Sequence, residues 1–146
     1  MKTKKSNSNI EVYENLYPFS LSVASINDIE EINNKYYFYN NISDYLNYSN
    51  KIENLNPDPS LSGLTVLVSD KETEYKSVLI ILDLDSVSNN LGILTHESIH
   101  YTDALFDSLG LNGEGYDAGD EHYAYLVEWC FNCLLDYVER RKEKRY

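Results

Sequence analysis

The sequence predicts an α+β fold: a small, largely antiparallel sheet packed on a motif-bearing helix and on a long, buried C-terminal helix. Three observations lead there. Apolar side chains alternate with a period of two in the first half, the period changes to about 3.6 after Asp85, and a glycine-rich break separates two helical stretches near the end.

Taken in order, Tyr17, Phe19, Leu21 and Val23 alternate with mostly polar neighbours, the pattern of a half-buried strand near residues 18–24. Ile26, Ile29 and Ile32 then share one side of a short helix over residues 25–34, capped by Ser25 or Asn27. Residues 36–60 are aromatic, Asn-rich and interrupted by Pro57 and Pro59, which implies a short helix and a long loop. Two β-branched runs at residues 64–69 and 76–84, separated by a charged segment, form a hairpin. Ser88 or Asn89 can cap a helix that runs to Leu109 and stops at Gly110. Gly113, Gly115 and Gly119 mark a loop, and a last helix covers residues 120–141. Its apolar residues lie on nearly every side between Ala124 and Leu135, as in a helix buried all round.

A chain of 146 residues is long enough for one core, so residues 11–146 are read as a single domain after a polar, flexible arm at 1–10. The net charge is −12, and most of the cations sit at the two ends. Such a body lacks the basic footprint that phosphate neutralisation needs, which argues against nucleic acid as a partner. The cationic C-terminus suits the negative end of a helix dipole. No apolar run reaches the roughly 20 residues of a membrane span, and the Lys-rich start lacks the apolar stretch of a signal peptide. A cytoplasmic protein without a membrane partner is expected, its Cys130 and Cys133 reduced.

The chemistry concentrates at His96-Glu97-Ser98-Ile99-His100, inside the helix that ends at Gly110. Two histidines four residues apart share a helix face, so both can donate nitrogen to one Zn2+, while Glu97 stands beside the metal as general base toward its bound water. A catalytic zinc needs a third protein ligand. Asp103 lies on the same stripe, but about 10.5 Å along the axis from His96, too far for a short side chain. The ligand must come from another segment; on the chain that returns after Gly110, Glu121 is preferred and Asp117 and His122 compete. His122, Tyr116, Tyr123 or Tyr125 could instead donate a hydrogen bond to a transition-state oxyanion. Asp103 or Asp107 could orient a zinc-bound imidazole through its second nitrogen.

The order of H-E-x-x-H, a glycine-containing loop, then Asp120-Glu121-x-x-Ala124-Tyr125-Leu126 and Trp129 resembles the small metallopeptidases encoded by bacteriophages. It is similar in logic to the gluzincins, whose third zinc ligand is a Glu on the helix after the motif helix. The resemblance covers roughly residues 90–135 and implies Glu121 as that ligand and Glu97 as the base. It implies a peptide or protein substrate, phage or host proteins as partners, and the host cytoplasm or the virion as location.

Cys130 and Cys133 have the spacing of a redox pair, but they fall well inside a helix rather than at its start after a strand. A closed zinc site of His96, His100, Cys130 and Cys133 would exclude Glu121, because Cys130 lies about 13 Å farther along the last helix. Asp83 and Asp85 read as solvated acids at a strand end. The expected function is zinc-dependent peptide hydrolysis; the alternative is a phage structural or host-interaction protein that keeps the scaffold without the activity.

Overall fold

A computed structural model describes residues 3, 4, 8–111 and 120–144. Strands β1 (Thr3–Lys4), β2 (Glu11–Tyr13), β3 (Ser20–Ser25), β4 (Tyr36–Tyr39), β5 (Gly63–Asp70) and β6 (Lys76–Leu82) form one sheet in the order β1-β2-β3-β6-β5-β4. Every neighbouring pair is antiparallel except β3 and β6, which run parallel. The α+β class and the largely antiparallel sheet therefore stand as read from the sequence. Ile10, placed in the flexible arm, is buried at 2% exposure and leads into β2.

The alternation at residues 17–23 becomes β3, but this strand is central and buried on both faces. Its polar residues survive inside because they satisfy one another. Ser22 Oγ lies 2.7 Å from Ser77 Oγ and accepts from the Tyr36 hydroxyl at 3.1 Å. After it, Ser25 caps a 3₁₀ turn (Ile26–Asp28) by accepting from the Asn27 N–H, and helix α1 (Ile29–Lys35) buries Ile32. The segment read as a short helix and a long loop holds helix α2 (Ile42–Asn47), capped by Asn41, and before it strand β4, which that reading did not include.

The hairpin is β5–β6, in register from Gly63↔Leu82 to Ser69↔Lys76. Its turn is held by Asp70, whose carboxylate accepts the N–H groups of Glu72 and Thr73 at 2.8 and 3.0 Å. On the far side of β5, β4 pairs only from Tyr39↔Leu67 to Tyr36↔Asp70. Among the described residues, 63–66 thus have a strand neighbour on one edge alone.

One face of the sheet packs Leu64, Val66, Leu79 and Ile81 against Ile10, Ile32 and Phe38 beneath α1. The other carries the larger core, where Leu21, Val23, Val78 and Ile80 meet α3 (Leu84–Asn89), α4 (Gly92–Leu109) and α5 (Asp120–Lys144). The single helix expected after residue 88 is two helices. Asp83 caps α3, the chain extends at Asn90, and the Asn90 side chain accepts the Gly92 N–H at 3.0 Å to start α4. An Asn that satisfies an open N–H outside the helix ends one helix and begins the next. At the other end Gly110 takes the left-handed conformation, φ 69°, and terminates α4 as expected.

Helix α5 buries one stripe, Leu126, Cys130, Cys133, Leu134, Tyr137 and Val138, while Tyr125 is 62% exposed, so it is buried along one side rather than all round. Its cationic end does more than complement a dipole. Arg140 binds both carboxylate oxygens of Glu11 and donates to Asp136 at 3.0 Å and to the Tyr13 hydroxyl at 2.8 Å. Arg141 reaches the Asn9 carbonyl at 2.5 Å. No helix among the described residues is long and apolar enough to cross a membrane.

Candidate metal centre

Helix α4 divides into two faces. Leu94, Ser98, Tyr101, Thr102, Leu105 and Phe106 point into the core. Ser98 and Thr102 are tolerated there because their hydroxyls donate to the carbonyls of Leu94 and Ser98 one turn back, at 2.7 and 2.8 Å. On the opposite face His96 and His100 stand one turn apart, their ring centroids at 4.7 Å and their planes at 75°. Their Nε2 atoms are 3.1 Å apart. Two nitrogens bound to one tetrahedral zinc stand about 3.3 Å apart, so the rings already converge on the spacing a shared cation needs.

Glu97 has turned the other way, toward the sheet, and is buried at 4% exposure. Its Oε1 accepts from the Thr65 hydroxyl of β5 at 2.8 Å, and its Oε2 lies 3.9 Å from His96 Nε2. One oxygen is anchored and the other faces the His96 imidazole. Gly63, two residues before Thr65, makes this possible. A Cβ there would stand 3.0 Å from both Cγ and Oε2 of Glu97, tighter than most side-chain contacts, so the carboxylate would have to give way by a few tenths of an ångström. Neither Gly63 nor Thr65 was singled out in the sequence, because only strand-to-helix packing brings them to the motif.

A groove of about 520 Å³ runs along this site. Thr65 and Leu67 line it from β5 and Ala104 and Asp107 from α4, while Asn40 and Asn41 line it from the chain leading into α2. A second recess, at Ser62, Asn90 and Gly92, shares Gly63, His96 and Glu97 with it.

The remaining candidates lie apart. Asp103 accepts from the Tyr123 hydroxyl at 2.6 Å, and this bond together with burial pushes the Tyr123 pKa up. His122 bonds the Tyr17 hydroxyl and packs on Phe106, centroids 5.8 Å apart, away from the histidine pair. Glu121 is exposed in the first turn of α5. Its neighbours His122 and Tyr123 meet Phe106 and Asp103, which lie on α4 beyond His100. Tyr125 points to solvent. Tyr116 and Asp117 lie outside the described residues, as does the Asp120 side chain. Cys130 and Cys133 are fully buried, and burial pushes the Cys133 thiol up to about 12 and raises Cys130 as well, so both are neutral thiols packed in the core. Asp83 is the α3 cap. Among the described residues no group of three or more His, Cys, Asp and Glu is placed to hold a metal ion. What the geometry brings together is His96, His100 and Glu97, with Thr65 and Gly63 in support.

No family model matches this sequence, and no curated protein or solved structure matches it.

Proposed function

We propose that the chain is a zinc-dependent peptidase in which His96 and His100 hold the metal and Glu97 is the general base. The carrying observation is the 3.1 Å separation of the two Nε2 atoms with the Glu97 carboxylate beside them. The resemblance to phage-encoded metallopeptidases supports the metal site in this reading.

Zinc, when bound, acidifies water and polarises a carbonyl. The rest is the work of this chain. Thr65 fixes one oxygen of Glu97, so the other has a single direction in which to take a proton and from which to hand it to a leaving amine. Residues 63–66 offer an unpaired strand edge along which an extended peptide could lie by strand addition. Glu121 would be the third ligand in this proposal, reaching the pair from the first turn of α5.

The second reading is a binding module on the same scaffold, a phage structural or host-interaction protein without hydrolysis. The groove between β5 and α4 is the surface such a module would offer a partner. Elemental analysis of the purified protein separates the two. The peptidase reading expects near one zinc per chain, lost in His100→Ala and reduced in Glu121→Ala. Glu97→Gln should keep the zinc and lose hydrolysis by a factor of about 10² to 10⁴. Zinc below one-tenth per chain under saturating conditions, or full activity in Glu97→Gln, would sink it.

A further inference from the structure

We propose that the groove selects an extended peptide carrying Lys or Arg about three residues from the bond held beside Glu97, and that Asp107 receives that cation. The proposal rests on the reading of the groove as a peptide site and adds its specificity.

Asp107 lines the same groove as His96, Glu97 and His100. It lies seven residues beyond His100 on one helix, about 10.5 Å along the axis. An extended peptide rises about 3.3 Å per residue, so a side chain beside Asp107 belongs to a residue about three positions from the histidine pair. The backbone arrangement agrees. The unpaired edge of β5 ends at Val66, where β4 takes over. A peptide leaving the edge at that point can be read only through its side chains.

The charge pattern chooses the cation. Asp103, on the same stripe, is occupied by the Tyr123 hydroxyl. Asp107 makes no side-chain hydrogen bond or ion pair among the described residues. The groove is lined by Glu97 and Asp107 and by no Lys or Arg. The sequence holds neither Lys nor Arg between Lys76 and Arg140, a stretch that carries α3, α4, the first twenty residues of α5 and half of the 24 acidic residues. With no Lys or Arg in its lining, the end of the groove at Asp107, about 10.5 Å from the histidine pair, attracts a substrate's cation.

The test is binding, measured by fluorescence anisotropy on the full chain. The probes are acetylated, amidated Ala/Ser hexapeptides with a single Lys at each position in turn, and the same peptides with Glu or Ala. The best Lys peptide should bind about fivefold tighter than its Ala counterpart at low salt, with the advantage shrinking as salt rises. Asp107→Asn should erase that advantage. Glu128→Gln, an equal change of charge on an exposed residue of α5, should leave it. The inference fails if no peptide binds, if the Lys position makes no difference, or if both variants act alike. It also fails if an unblocked Ala peptide matches the Lys peptide, which would assign Asp107 to a terminal amine. Cleavage is scored separately. Asp107-dependent binding without cleavage keeps the inference and removes the peptidase reading, whereas cleavage indifferent to Lys does the reverse.

Discussion

Substituting Gly63 by Ala should damage the site through one added carbon. The new Cβ would meet Glu97 Cγ and Oε2 at 3.0 Å, so the carboxylate has to move, and moving it strains or breaks its 2.8 Å bond from Thr65. Gly63 has no positive φ, so backbone strain adds nothing. Ala reduces the freedom of the unfolded chain, a gain of about 0.4–1 kcal/mol. Against that stand about 1–3 kcal/mol for overpacking and about 1.5–3 kcal/mol for a hydrogen bond to a charged group, of which only part is lost if the carboxylate adjusts. The net expectation is a loss of about 1–2 kcal/mol in urea unfolding. Because Gly63 and Thr65 act on the same carboxylate, Gly63→Ala and Thr65→Val should not add. Their double-mutant cycle should show a coupling of about 1 kcal/mol. If Gly63→Ala unfolds within about 0.3 kcal/mol of the parent, or the two changes sum within that margin, the glycine does not shape the site.

Alkali should unfold the protein cooperatively. Burial holds Tyr36 and Tyr137 up at about 12, against 10.0 for a free tyrosine, and Cys133 at about 12 against 9.0. The folded chain therefore keeps protons that the unfolded chain releases. Their stabilisation is complete below about pH 9 and drains as pH rises toward 12, by about 1.4 kcal/mol per pH unit for each group. Tyrosinate absorbance at the ultraviolet edge and circular dichroism should change together; a gradual titration with the fold intact would contradict this. Tyr45→Phe removes a buried hydroxyl that donates to the Ser77 carbonyl at 2.8 Å and should cost about 1 kcal/mol by thermal unfolding; a neutral result would show that the carbonyl finds another donor. Arg140→Met should cost roughly 1 kcal/mol, because the guanidinium is 36% exposed and solvent screens its pairing with Glu11 and Asp136. A loss that does not shrink in high salt would refute the electrostatic account.

Much of the fold was legible because it rests on local patterns. The β5–β6 hairpin and the two long helices follow from a change of period, and Ser25 and Gly110 cap and stop helices for reasons each residue carries alone. Where the reading fell short, the cause was tertiary. Ser22 and Ser77 look like outward-facing residues until each supplies the other's hydrogen bond inside a central strand. β4 lay hidden in an aromatic, Asn-rich run because its tyrosines suit a loop surface as well as a strand. At the site, the histidine convergence was readable from four-residue spacing on a helix, whereas Thr65 and Gly63 came into view only when β5 lay against α4. Glu121 was chosen for its length and its place in the sequence, and the level at which α5 packs on α4, which sequence spacing does not specify, decides how near it comes.

The clamp of Arg140 on Glu11 joins positions 129 residues apart. A link of that span can form only after nearly the whole chain has been drawn together, since closing so large a loop is opposed by entropy that grows with its length. It should therefore be missing from the barrier state of folding and present only in the finished molecule. In stopped-flow experiments its removal should quicken unfolding and leave the refolding rate almost untouched, so that the clamp acts as a latch on lifetime.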